Sequence, residues 1–187
     1  DVGGGDGAAA AVTGEAAGGA RRLLSADREG MALGEGGNGQ EKREARGERG
    51  TGRAAGDERI GGDVPAGRFG ENLTTAGLDV SAAVIGEVWR VGTATLQVCQ
   101  PRIPCNTFAR FWERKGLVAE FTREARPGAY LRILEEGRVQ QGDAIDLLDR
   151  PAHGVTIAQA FRARTGTREL VPLLLDAAQL PARWHEW

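Results

Sequence analysis

The chain has 187 residues and a formal net charge of -2, which gives room for one domain of ordinary size and an appendage. The charge balance excludes bulk attraction to nucleic acid or to an anionic membrane, and no apolar run approaches the ~18 residues that suggest a membrane span. Two cysteines, Cys99 and Cys105, do not make a disulfide framework. Because no export signal is visible, we expect a reducing, cytoplasmic location.

The composition changes sharply near Pro65. Residues 1–66 hold 18 of the 29 glycines and none of the ten aromatic residues. They show no sustained period of 2 or 3.6, so they offer little apolar surface to offset the entropy lost on ordering. We therefore predict that residues 1–65 are disordered and that folding begins after them.

From Phe69 onward the pattern is that of a folded protein. Residues 69–75 have the mixed character of a structured loop. Residues 85–91 and 95–99 predict two strands, and Gly92 with Thr93 fits the hairpin turn between them. Cys99 falls within the second strand, where we expect it to serve packing.

The rest of the chain alternates between helical and strand patterns. Residues 106–115 and 117–126 predict helices, the first with an apolar face that serves the core. Strands are predicted at 129–134 and 144–148. After Pro151, residues 155–164 and 168–178 predict amphipathic helices, with Thr156 as a possible cap, and we expect Trp184 to pack. The fold class is thus α+β, with a β-rich, barrel-like domain and a short helical C-terminal segment.

Most familiar catalytic patterns are absent from the sequence. It contains no zinc-binding spacing, nucleophile elbow, P-loop or dinucleotide-binding loop. His153 is conceivable as a base for Cys105, but nothing places the two together. Asp143, Asp146 and Asp149 read as solvated charges rather than as a metal site.

The segment from Gln100 to Cys105 carries the strongest chemical signal. Its two prolines hold the thiol in a stiff turn, and the guanidinium of Arg102 favours thiolate, the form that binds metals. A buried, inert Cys105 is the alternative. An arginine grips phosphate or carboxylate with parallel donors, so the pair fits a cofactor that has both a metal and an anionic tail.

Several ordered motifs resemble the MOSC domain, named for the C-terminal domain of molybdenum cofactor sulfurases, and within it the bacterial YiiM-type branch. The motifs run from residue 69 to residue 143 and are FGENLTTAGL at 69–78, IGEV at 85–88, QVCQPRIPC at 97–105, GAYLRIL at 128–134, and Gly137 with Gly142-Asp143. The resemblance implies a MOSC domain at 66–150 and, at 151–187, part of the small helical domain that follows it in this branch.

The same resemblance implies a function. It maps the family's cysteine onto Cys105, as the ligand of molybdenum in the molybdenum cofactor, and places Asn72 and Arg102 in the cofactor site. It implies an oxidoreductase that reduces N-hydroxylated small molecules with electrons from a separate reductase. Family-level binding of pyridoxal phosphate is implied as well.

Residues 1–65 depart from the family pattern, because they show neither its early barrel strands nor its histidine-containing segment. One hypothesis is that GC-rich DNA has been read there in a shifted frame. Two other functions therefore stay open beside the enzyme. One is a carrier of the cofactor, or of persulfide sulfur on Cys105, without turnover. The other is a defective fragment whose thiol is buried and inert.

Overall fold

The structure, a computed structural model, describes residues 11–15, 22–24, 31–35, 69 and 71–186. Within these residues the dominant element is a seven-stranded sheet in the order β1-β4-β3-β7-β6-β5-β9, beside a two-stranded sheet of β2 and β8. All pairings are antiparallel except that of β3 with β4. The strands are β1 (Ala11–Glu15), β2 (Arg22–Leu24), β3 (Met31–Glu35), β4 (Leu73–Ala76), β5 (Val88–Val91), β6 (Ala94–Pro101), β7 (Ala129–Glu135), β8 (Gly137–Val139) and β9 (Ile145–Asp149).

Three strands lie in the part of the chain that we predicted to be disordered. β1 pairs with β4, β3 pairs with β4 and β7, and β2 pairs with β8. The prediction of disorder is therefore wrong for these three stretches. Strand pairing uses backbone N–H and C=O groups, which such residues carry whatever their side chains. The other residues of 1–65 lie outside the described residues.

The β5–β6 hairpin forms where the sequence predicts it. Val91 pairs with Ala94 across the two-residue turn, and Gly92 has a left-handed φ of 58°, which suits a glycine. β6 then lies between β5 and β7 in the sheet. The predicted loop at 69–75 is partly wrong, because its second half forms β4, in which the hydroxyl-bearing Thr74 and Thr75 are buried.

The helices differ from the predictions mainly at their ends. α1 (Asn106–Phe111) and α2 (Leu117–Glu124) are shorter than predicted, and α3 (Ile157–Thr165) begins with a capping box of Thr156 and Gln159, which confirms the predicted cap. Residues Arg168–Asp176 form a 3-10 helix with Pro172 inside, rather than the predicted amphipathic α-helix. In α1 the Phe111 side chain is 54% exposed, so the predicted apolar face is incomplete.

One core joins the sheet to the C-terminal segment, defined here as residues 151–186. The junction is hydrogen-bonded, from Ile85 N to Val155 O at 2.9 Å and from Ile157 N to Ala83 O at 2.9 Å. A domain boundary at residue 150 stays a prediction. The large core side chains come from both sides of it: Leu73, Ile85, Trp89, Leu96, Leu131, Ile157, Leu174 and Trp184. Among the described helices, none combines the length and apolar character needed to cross a bilayer.

The hairpin turn gives a stability prediction. A Cβ added at Gly92 would collide with the carbonyl oxygen of Arg138 and the carboxylate of Asp143, whereas one added at Gly116, which also has a positive φ, would meet nothing within 4 Å. We expect Gly92→Ala to lower the free energy of unfolding by ~3 kcal/mol or more, and Gly116→Ala by ~1 kcal/mol, the cost of the left-handed conformation alone. Urea unfolding measures both, and equal losses would contradict the assigned turn.

Candidate functional site

The chain leaves β6 through a fixed path that ends at Cys105. Pro101 is the last residue paired with β7, opposite Ala129. The backbone then continues the ladder by one bond, from the N–H of Arg102 to the carbonyl of Gly128 at 3.2 Å. Pro104 has a fixed φ and restricts the backbone conformation of Ile103, the residue before it. Cys105 is therefore positioned by the sheet on one side and by α1 on the other.

The thiol of Cys105 is exposed and biased toward thiolate. Cys105 is the residue before the first turn of α1, in an extended conformation. The backbone N–H groups of Phe108 and Thr107 are the main causes that lower the pKa of its thiol; the Thr107 side chain and the charge of Arg102 act in the same direction, and slight desolvation opposes them. Neither N–H makes a full capping hydrogen bond to Sγ, so these groups stabilise the thiolate through the partial positive charge of their hydrogens. The alternative of a buried Cys105 is wrong.

Arg102 lies on the same short segment and acts on the same thiol. Its guanidinium carbon is 5.5 Å from the ring centroid of Phe108, a cation–π contact that holds the half-buried side chain in place. The structure thus brings Arg102 and Cys105 together, as the sequence predicts. Within the described part of the chain, Arg102 forms no ion pair with a carboxylate.

The loop that contains Asn72 lies against the same helix. Phe69 packs on Phe108 and Trp112, with ring centroids 6.3 and 5.0 Å apart. The loop is tied internally by the buried carboxylate of Glu71, which accepts hydrogen bonds from the N–H of Phe69 at 3.0 Å and from the hydroxyl of Thr74 at 3.1 Å. Asn72 begins the approach to β4, and its role in cofactor binding stays a prediction.

The other sequence candidates are placed elsewhere. Cys99 is buried in β6, and desolvation raises the pKa of its thiol, partly opposed by Arg132; it packs, as predicted. His153 uses Nδ1 to accept a hydrogen bond from the N–H of Val155, and no contact joins it to Cys105. Across the described residues, no three His, Cys, Asp or Glu side chains form a metal-binding group.

Sequence reasoning missed residues that complete the surroundings of this segment. The N–H groups of Thr107 and Phe108 could not be found, because every residue but proline has one. Gln100 stands within a recognised motif, yet its partners Arg183 and Trp184 lie 83 and 84 residues further along the chain. Only the tertiary fold shows that they meet.

Comparison with known proteins identifies the family to which the chain is similar. The profile of the MOSC domain family matches residues 52–146. The chain is 43% identical over 120 residues to the uncharacterized protein YflK of Bacillus subtilis, a match that covers 63% of this chain and 54% of YflK. It is 32% identical over 116 residues to a protein named "Reductase" from Gibberella moniliformis, covering 62% of this chain and 21% of that protein. The chain therefore spans about half or less of the length of these relatives.

The fold also matches a solved structure. YiiM from Geobacillus stearothermophilus aligns with a TM-score of 0.74 and 24% sequence identity, over 90% of this chain and 82% of that one. These matches confirm the resemblance that the motifs indicate. The family match also begins at residue 52, earlier than the boundary at 66 that we predicted from composition.

The contrast between the two thiols can be measured directly. With Cys99→Ala as background, we expect the rate of Cys105 alkylation by iodoacetamide to rise with pH at a lower midpoint in the folded protein than in urea, because the fold favours thiolate. In the Cys105→Ala background, the buried Cys99 should react slowly until the protein unfolds. Mass spectrometry gives both rates. Equal midpoints for Cys105 in folded and unfolded protein would rule out the assigned environment.

Proposed function

Because this chain belongs to the MOSC domain family, we propose that it binds the molybdenum cofactor through Cys105 and reduces N-hydroxylated compounds. The observation that carries the proposal is the exposed, thiolate-leaning Cys105 next to an arginine without a carboxylate partner among the described residues. The name of the Gibberella relative supports a reductase only weakly, since the match covers 21% of that protein.

The residues around Cys105 fit this cofactor chemically. A soft thiolate suits molybdenum, and the planar guanidinium of Arg102 suits the cofactor's phosphate. Asn72, in the loop packed on α1, would supply an amide to the same ligand. When bound, the cofactor would supply a metal centre that changes its oxidation state. The chain's own residues would anchor it, and the backbone N–H groups of Phe108 and Thr107, with a smaller contribution from Arg102, would favour the thiolate of Cys105.

The net reaction must balance in electrons and protons. Reduction of R–NH–OH to R–NH₂ breaks the N–O bond, consumes two electrons and two protons, and releases one water. Both electrons would come from a separate reductase, as the family resemblance implies, because these 187 residues contain no flavin, haem or iron–sulfur motif that could deliver them. That reductase is the partner that the proposal requires.

Pyridoxal phosphate fits these residues less well. Enzymes that use it for catalysis bind it as a Schiff base on lysine. Within the described residues the chain offers Lys115, which is exposed between α1 and α2. Lys115 makes no contact with Cys105 among the described residues, so the structure gives this cofactor no support.

A second candidate uses the same thiol without turnover. An exposed thiolate is also the form that attacks the outer sulfur of a donor persulfide, so that the donor leaves as a thiolate and the attacking cysteine carries the persulfide. The lowered pKa of the Cys105 thiol favours this role as much as it favours metal binding. A carrier would show cyanide-releasable sulfur on Cys105 and no reduction of N-hydroxylated compounds with any electron donor.

The metal content of the protein tests the proposal. After expression in a host that makes the molybdenum cofactor, we expect nearly one molybdenum per chain in the wild type and in Cys99→Ala, and a loss of at least about tenfold in Cys105→Ala, because the thiolate ligand is gone. Elemental analysis measures the metal, and thermal unfolding controls for folding. Full loading of Cys105→Ala would reject Cys105 as the ligand, and sulfur without metal would favour the carrier.

A further inference from the structure

A groove of about 350 Å³ lies where the C-terminal segment meets the end of β6. Its size is within the range of small-molecule sites. One wall is the segment that runs toward Cys105, and the other is built from two distant parts of the C-terminal segment. Besides Gln100, the lining residues are Pro101, Ile103, Tyr130, Arg164, Arg183 and Trp184.

One side chain of β6, Gln100, bonds to two of the groove residues from the C-terminal segment. The Oε1 atom of Gln100 accepts a hydrogen bond from Nη2 of Arg183 at 2.9 Å and another from Nε1 of Trp184 at 2.7 Å. Trp184 is buried, and the guanidinium carbon of Arg164 is 5.9 Å from its ring centroid. Two donors on one acceptor fix both C-terminal side chains relative to the strand that leads to Cys105.

The groove offers polar groups that the described protein does not use. Tyr130 forms no side-chain hydrogen bond with another described residue, and the exposed Arg183 forms no ion pair with a described carboxylate. Arg183 gives one bond to Gln100, whereas a guanidinium has five N–H donors. Arg164 also lines the groove, but it already has interaction partners within the protein. Apolar surface beside these groups comes mainly from Ile103, which is 41% exposed, at the edge of the buried Pro101 and Trp184.

We propose that this groove binds a planar aromatic ring that carries a carboxylate, and that it is the subsite for the acid-bearing half of the substrate. The inference rests on the proposed function for its connection to catalysis. The carboxylate would pair with Arg183 and accept from Tyr130, while the ring would pack on the apolar wall. Since Pro101 and Ile103 belong to the segment that ends at Cys105, a substrate held here would extend along that segment toward the thiol.

A binding titration tests the groove without any cofactor. We expect 4-aminobenzoate to bind the cofactor-free protein at least about tenfold more tightly than aniline, and Arg183→Ala to weaken 4-aminobenzoate by about tenfold. Arg162→Ala is the matched control, because Arg162 is also an exposed arginine of the C-terminal segment but does not line the groove. Equal binding of the two ligands, or equal weakening by Arg162→Ala, would overturn the proposal.

Two further measurements distinguish a substrate carboxylate from the cofactor's phosphate as the anion that the groove binds. If the groove holds the substrate, Arg183→Ala keeps its molybdenum, and the ratio of kcat/KM for 4-(hydroxyamino)benzoate to that for phenylhydroxylamine falls about tenfold. Loss of molybdenum in Arg183→Ala would show that the groove holds the cofactor's phosphate, which overturns the proposal. If no variant reduces either compound, the proposed function fails, whereas the titration still decides whether the groove binds an aromatic acid.

Discussion

The pairing of β6 with β7 determines where the reactive thiol lies. It runs to the pair of Pro101 with Ala129 and then one bond beyond the strand, from Arg102 to Gly128. Because a ladder fixes both direction and register, the segment after Pro101 has little freedom in how it leaves the sheet. The exposure of Cys105, its approach to the N–H groups of α1 and the formation of the groove all depend on this exit.

The sequence predicts the parts of this fold that have local causes. The turn at Gly92 follows from the need for a positive φ, and the cap at Thr156 follows from an oxygen three residues before a matching Gln159. Elements without a local cause were missed. Thr74 and Thr75 are buried in β4, whereas their polar side chains predict a loop. The buried position of Thr74 is satisfied by a hydrogen bond from its hydroxyl to Glu71, which only the structure shows. The strands near the N-terminus are specified by the edges they pair with, and composition cannot show those edges.

The candidate site likewise contains some features that the sequence predicts and others that depend on the tertiary fold. Arg102 and Cys105 are three residues apart, so their electrostatic relation follows from the sequence, and the structure agrees. The backbone donors of Thr107 and Phe108 depend on the helix beginning at that residue. The link from Gln100 to Arg183 spans 83 residues and depends on how the C-terminal segment docks onto the shared core. Contacts of this kind require three-dimensional information, because neither residue type nor spacing signals them.

The two hydrogen bonds on Gln100 make the groove conditional on the docking of residues 181–186. Arg183 and Trp184 line the groove while their side chains are bonded to Gln100 of β6. Binding and docking are therefore thermodynamically linked, so that a molecule which occupies the groove must also slow the local opening of residues 181–186. Amide hydrogen exchange at residues 181–186 thus becomes a reporter of occupancy, readable even for a ligand that undergoes no reaction.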